Sequence, residues 1–295
     1  MASTRDPHRL ALIFSLLFAL GGCANSTSRA HLFASRHGFH SAVLQGTQFQ
    51  HQIFEIRGAP IEALYVFIDG DGLPWTDAGT RIARDPTPHR LLALELATRT
   101  PHAVLYLGRP CYFRVQSGAP CGPDMWTDRR YSREVVDSMA AALNRFADGA
   151  GYKKVILVGY SGGGTLAALM APHVPATRML VTIAANLDVA EWTRWHHYWS
   201  LDGSLDPASE PPLAAAIEQW HLIGGRDTNV PEAVNRRYFN GVSPDRIWRF
   251  PEFDHACCWV KQWPQILARL DGADLSLQSL RVRIDHMPMR ARETN

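Results

Sequence analysis

Residues 154–170 constrain this 295-residue chain more than any other stretch. A β-branched, apolar run at 155–158 meets Gly159-Tyr160-Ser161-Gly162-Gly163, and a second apolar run follows at 165–170 before Pro172. The first run reads as a buried strand and the second as a helix. To pass from one to the other so quickly the backbone must turn sharply, and small residues at 159 and 163 relieve the crowding. Such a turn leaves the Ser161 hydroxyl exposed at the end of the sheet, with the unpaired N–H groups of the helix start aimed at the same point.

The same alternation runs along the chain. Strand patterns fall at 48–57, 63–69, 103–107, 179–184, 220–223 and 246–250, and helical patterns at 88–98, 133–146, 231–239 and 259–270, with Pro264 inside the last. Repeated strand and helix predict an α/β fold with a mostly parallel central sheet and helices on both faces. With 46% hydrophobic residues the chain can bury one sizeable core.

A serine hydroxyl is a poor nucleophile until a base takes its proton, and the base must be oriented by a carboxylate. After the strand at 220–223 the chain reads Gly224-Gly225-Arg226-Asp227-Thr228-Asn229-Val230-Pro231, and after the last strand Pro251-Glu252-Phe253-Asp254-His255. Asp227 and His255 are therefore the candidate acid and base. Asp227 also has the position of a simple helix cap. Asp188 is the runner-up acid, Asp202 is a weaker one, and Asp254 reads as a turn residue.

Strand, Gly-x-Ser-x-Gly, helix, then Asp227 and His255 in that order resemble the α/β-hydrolase superfamily over about residues 45–270. The resemblance implies an α/β-hydrolase fold with a catalytic triad of Ser161, Asp227 and His255. It also implies an oxyanion hole from the backbone N–H groups of Gly162 and Asp71. Phe67-Ile68-Asp69-Gly70-Asp71-Gly72 stands where relatives often carry His-Gly-x-Gly, so Asp69 replaces a histidine. Carboxylates near a developing negative charge must point away, be paired, or meet a donor on the substrate. Residues 186–212 sit where this fold inserts a short cap. There Trp192, Trp195, Tyr198 and Trp199 have the spacing either of a packed helix face or of a wall to an acyl or aromatic pocket. Further pieces, Arg109-Pro110-Cys111, Trp126-Thr127, Arg130-Tyr131-Ser132 and Asp254-His255-Ala256-Cys257-Cys258-Trp259, look like a group of exported proteobacterial hydrolases. That likeness carries no substrate with it.

Arg5, His8 and Arg9 precede an apolar run at 10–20 that is too short to span a bilayer, and Leu20-Gly21-Gly22-Cys23 resembles a bacterial lipobox. The expectation is a signal peptide at 1–22 and a diacylglyceryl group on Cys23. A mobile tether over 23–44, a catalytic domain over 45–270 and a loosely held tail over 271–295 follow. Ala24 carries no acidic retention signal, which, by resemblance to other lipoproteins, implies the periplasmic face of the outer membrane. Setting Cys23 aside leaves Cys111, Cys121, Cys257 and Cys258, an even set suited to an oxidising compartment. Cys111–Cys121 is the preferred pair. Cys257 and Cys258 remain open between a vicinal disulfide, free thiols and a cross-link to the 111–121 loop.

A formal net charge of +2 gives no field for steering polyanions, so nucleic acid is not an expected partner. Neither Asp69-Gly70-Asp71-Gly72 nor the adjacent pairs His196-His197 and Cys257-Cys258 have metal-ligand spacing, and no metal or cofactor is expected. The resulting expectation is a serine hydrolase acting on a small-molecule carboxylic ester or thioester. An envelope peptidase or amidase, and a non-catalytic binding protein of the same shape, are the alternatives.

Overall fold

The computed structural model describes residues 25–59, 63–116 and 118–285. The expected signal peptide, Cys23 and the tail beyond residue 285 lie outside the described residues.

Eight strands form one sheet: β1 (His40–Gln45), β2 (Gln50–Ile56), β3 (Leu64–Ile68), β6 (Ala103–Leu107), β7 (Val155–Tyr160), β8 (Thr177–Ile183), β9 (Glu218–Gly224) and β10 (Ile247–Phe250), in the order β1-β2-β6-β3-β7-β8-β9-β10. A two-stranded ribbon, β4 (Trp75–Thr76) with β5 (Arg81–Ile82), stands apart from it. In the large sheet β2 is antiparallel to both of its neighbours and every other pairing is parallel, while the β4–β5 ribbon is antiparallel. Every residue of β3 and β6 is buried. These strands accordingly read as continuous apolar runs without alternation, as interior parallel strands do.

Helices α2 (Leu92–Ala97) and α7 (Trp259–Asp285) pack together, as do α3 (Arg133–Ala150) and α4 (Gly162–Met170), and the sheet is flanked by them. α3 is set by its sequence at both ends. The Ser132 hydroxyl accepts from Val135 N, and Gly151 closes the helix at φ 80°, where a side chain would be strained. Val135, Val136, Met139, Leu143 and Phe146, spaced by about one helical turn, supply its buried face.

Two segments depart from the sequence expectation. The tether placed over 23–44 is instead structured: α1 (Ser26–Arg36) starts at Asn25, whose side chain accepts from Ser28 N at 2.8 Å, and buries Ala30 and Ala34. β1 then adds six residues to the sheet edge. Alanines bury too little surface to produce a visible apolar stripe, and an edge strand with exposed positions gives no clean alternation. At the other end α7 continues to Asp285, so the backbone of residues 271–285, expected as a loosely held tail, is helical.

Because β3, β7, β9 and β10 are parallel, their C-terminal ends share one edge of the sheet. The segments carrying Asp71, Ser161, Asp227 and His255 leave from that edge, where α/β sheets place ligands.

Candidate active site

Ser161 joins β7 to α4 at φ 51° and ψ −127°, a conformation a non-glycine residue adopts at a cost of about 1–3 kcal/mol. Burial of Leu166, Leu169 and Met170 on α4, at roughly 1.5–3 kcal/mol each, offsets that strain. The flanking glycines leave no alternative. A Cβ at Gly159 would lie 2.3 Å from Gly163 O, and one at Gly163 would lie 2.2 Å from Ile68 O, backbone atoms that cannot move aside.

The structure brings Ser161, His255 and Asp227 into one hydrogen-bonded row. His255 Nε2 is 3.1 Å from Ser161 Oγ, and His255 Nδ1 is 2.9 Å from Asp227 Oδ2. A carboxylate can only accept, so Nδ1 carries a proton donated to Asp227, and in the neutral ring Nε2 is left bare to accept from the serine. Asp227 is buried and fixed from behind, since its Oδ1 accepts from Asn229 N at 2.9 Å and Val230 N at 2.8 Å. It therefore caps the following turn with one oxygen and orients the imidazole with the other. Asn229 Nδ2 also lies 3.0 Å from His255 Nε2 and shares that lone pair with the serine.

The other acids are engaged elsewhere. Asp188 caps α5 (Val189–Trp195) through Glu191 N at 2.9 Å and pairs with Arg237 at 2.8 Å. Asp202 takes the Ser200 hydroxyl. Asp254 accepts from Ala256 N and Cys257 N at 2.8 and 2.6 Å, as a turn residue does. A second serine–histidine contact, Ser138 Oγ to His51 Nε2 at 2.9 Å, lies wholly inside the protein. His51 Nδ1 faces Gly108 O there rather than a carboxylate, and burial pushes the imidazole down to about 4. That pair serves packing.

Loop 69–72 lies against the serine: a Cβ at Gly70 would be 3.1 Å from Ser161 Cβ. Gly162 opens α4, so its N–H is among those a helix leaves unpaired. The two acids of this loop are accounted for. Asp69 accepts from Ala93 N at 3.2 Å in α2, and burial raises its carboxyl to about 7. Asp71 is paired with Arg109 and Arg130. Neither arginine had a function assignable from sequence, because their convergence on Asp71 is long-range.

A cleft of about 1190 Å³ is lined by Ser161 and His255 together with Trp75 of β4 and Trp192, Tyr198 and Trp199. Only Trp192 packs inward, its Nε1 donating to Asn229 O at 2.9 Å; Tyr198 is 56% and Trp199 94% exposed. The cap is one short helix and its following loop. Cys111 and Cys121 are bonded, with Cα atoms 5.4 Å apart, and Cys257 pairs with Cys258 just beyond His255. Among the described residues no group of three His, Cys, Asp or Glu side chains is placed to hold a metal.

This sheet order, with a half-buried serine on a strained strand-to-helix turn, defines an α/β-hydrolase fold. A family profile described as alpha/beta hydrolase fold matches residues 116–204, which include Ser161 and Gly162 but neither Asp227 nor His255. Among solved structures the chain is similar to a bacterial membrane phospholipase A described as a virulence factor, at 17% identity and TM-score 0.53 over 90% of this chain and 98% of that one. It is also similar to an esterase of the archaeon Pyrobaculum calidifontis, at 12% identity and TM-score 0.55 over 92% and 99%. A third is mouse alpha/beta hydrolase domain-containing protein 10, at 16% identity and TM-score 0.55 over 81% and 99%. At these identities the likeness establishes the fold alone. Comparison with curated protein sequences gives no significant match.

Proposed function

We propose that this chain is a serine hydrolase cleaving a carboxylic ester or thioester through an acyl-Ser161 intermediate. The observation that carries the reading is the row Ser161 Oγ, His255, Asp227, at 3.1 and 2.9 Å, with Ser161 on a strained turn that lines a cleft. In this reading Ser161 Oγ attacks the substrate carbonyl while His255 Nε2 takes its proton, and Asp227 stabilises the imidazolium that forms. The carbonyl oxygen becomes an oxyanion facing the N–H groups of Gly162 and Asp71. Collapse expels the alcohol or thiol, which receives the proton from His255. Water, deprotonated by the same imidazole, then releases the acid and regenerates the serine.

The aromatic walls suit a substrate with an apolar acyl or aryl part. The shared fold of an archaeal esterase and a bacterial phospholipase A is consistent with hydrolysis of this kind. A fluorophosphonate probe and short p-nitrophenyl esters test the reading, with labelling and turnover both lost in Ser161→Ala. The ratio of ester to amide rates separates an esterase from an amidase.

We also propose export and lipidation at Cys23. α1 begins at Ser26, so an acylated Cys23 would leave only two residues between the anchor and the helical body, seating the fold against the membrane. Incorporation of labelled palmitate in the wild type and its loss in Cys23→Ala is the test.

A further inference from the structure

The side chain of Asp71 meets three donors from two other segments of the chain. Arg109 Nη1 donates to Oδ1 at 2.5 Å, Arg130 Nη1 to Oδ2 at 2.9 Å, and the Tyr131 hydroxyl to the same carboxylate at 2.7 Å. The backbone of Asp71 is held as well, its carbonyl accepting from the Tyr112 hydroxyl at 2.7 Å. The donors are themselves tied down: Arg109 Nη2 donates to Arg130 O at 3.0 Å and Arg130 Nε to Thr127 O at 2.6 Å. The Arg109 guanidinium also lies 5.3 Å from the Tyr112 ring and 5.5 Å from the Tyr131 ring. Asn186 links the cluster to α4, donating to Tyr131 Oη at 3.3 Å and accepting from the Thr165 hydroxyl at 2.9 Å.

The cluster bears directly on the start of α4. A Cβ at Gly162 would lie 2.0 Å from Asp71 Oδ1 and 2.5 Å from Tyr131 Oη, so the carboxylate rests on the glycine that the acyl-serine reading makes an oxyanion donor. A lone carboxylate there would oppose a developing oxyanion strongly, since charges in a poorly solvated site are weakly screened. Two guanidinium groups against one carboxylate leave a surplus of one positive charge. Burial pushes the Asp71 carboxyl up, but Arg109 and Arg130 overcome this and hold it well below the usual carboxylate range. Buried ion clusters of this kind contribute little net stability, because desolvation offsets their attraction.

We infer that Arg109, Arg130 and Tyr131 are positioning residues for the oxyanion pocket. Through the Asp71 carboxylate they fix the 69–72 loop against Gly162, and their surplus positive charge turns a repulsive site into one that favours the tetrahedral oxyanion. The inference rests on the acyl-serine reading and deepens it.

The test uses the full chain carrying Tyr131→Phe, Arg130→Gln or Arg130→Lys. Each is assayed with a short neutral p-nitrophenyl ester, and active sites are counted by fluorophosphonate titration. Arg130→Gln is expected to lower kcat per titrated site by about 100-fold, the size of losing one oxyanion donor, with KM changed by less than about threefold. Arg130→Lys, which keeps the charge, recovers part of that loss. Tyr131→Phe removes a single hydroxyl and decides the matter should the charge variants fail to fold; its kcat per titrated site falls by about tenfold, beyond any lowering of the unfolding midpoint that the lost hydrogen bonds cause. A merely structural cluster moves the midpoint and leaves kcat per titrated site within about twofold of wild type, which overturns the inference. Lysine no better than glutamine overturns its electrostatic part. A wild type that takes no label at Ser161 contradicts the acyl-serine reading and this role together, whereas a labelled wild type with unimpaired variants contradicts the clamp alone.

Discussion

His255 presents its Nδ1 to Asp227 Oδ2 at 2.9 Å, and this one contact decides which nitrogen of the ring is bare. Asp227→Asn tests it. An amide places an N–H where the carboxylate accepted, which drives the proton to Nε2 and leaves Ser161 without a base. We expect kcat to fall on the order of 10³–10⁴-fold with KM nearly unchanged, as this tautomer logic produces in other triads. The Asn side chain retains an acceptor for Asn229 N and Val230 N, so the unfolding midpoint should move little. Steady-state kinetics with a chromogenic ester, beside thermal melts, check both halves.

The Cys111–Cys121 bond closes a loop of 10 residues' separation that leads from Arg109 and Tyr112. On the chain-entropy argument it stabilises by about 3 kcal/mol. The double variant Cys111→Ser, Cys121→Ser should unfold at lower denaturant by that amount. Denaturation of the wild type under reducing conditions should match it, and an unchanged midpoint in both would show that the bond contributes nothing.

Stability should depend on pH through groups of opposite sign. Burial depresses His51 to about 4 and His221 to about 3, so their contributions are fully present above the unfolded value of 6.5 and are lost as pH falls through 4 and 3. Asp69 works the other way. Its carboxyl is raised to about 7 by burial, so the folded protein holds a proton that the unfolded chain has lost above 3.8, and stability falls as pH rises between those values. Asp69→Asn removes this second effect alone. Compared with wild type, it should be more favourable at pH 8 than at pH 5 in urea unfolding, and an equal difference at both values would contradict the assignment.

How far the sequence discloses this molecule varies by segment, for physical reasons. β3 and β6 are legible because interior parallel strands must be apolar throughout, and the 103–107 run matches β6 residue for residue. The elbow is legible because its geometry admits little besides glycine at 159 and 163. Segments at the rim are not. β1 is an edge strand with exposed positions, and α1 buries only alanines, so both blend into a polar amino-terminal stretch. At the site, Ser161, Asp227 and His255 stand out because each follows a strand. Arg109, Arg130 and Tyr131 fall in short motifs whose resemblance assigns them no role, and only folding brings them to Asp71 across 38, 59 and 60 positions. The cap aromatics allow two readings, and the structure divides them: Trp192 packs with Val230 and Val234 while also lining the cleft, Tyr198 and Trp199 line it as exposed rings, and Trp195 is exposed and outside the lining.

The most direct test of the account is stoichiometric labelling by a fluorophosphonate, read by peptide mass spectrometry, on wild type and Ser161→Ala. One phosphonate per chain on Ser161 is expected, with ester turnover abolished in step and no label in the alanine variant. Label on another residue, or ester hydrolysis that persists undiminished in Ser161→Ala, would contradict it.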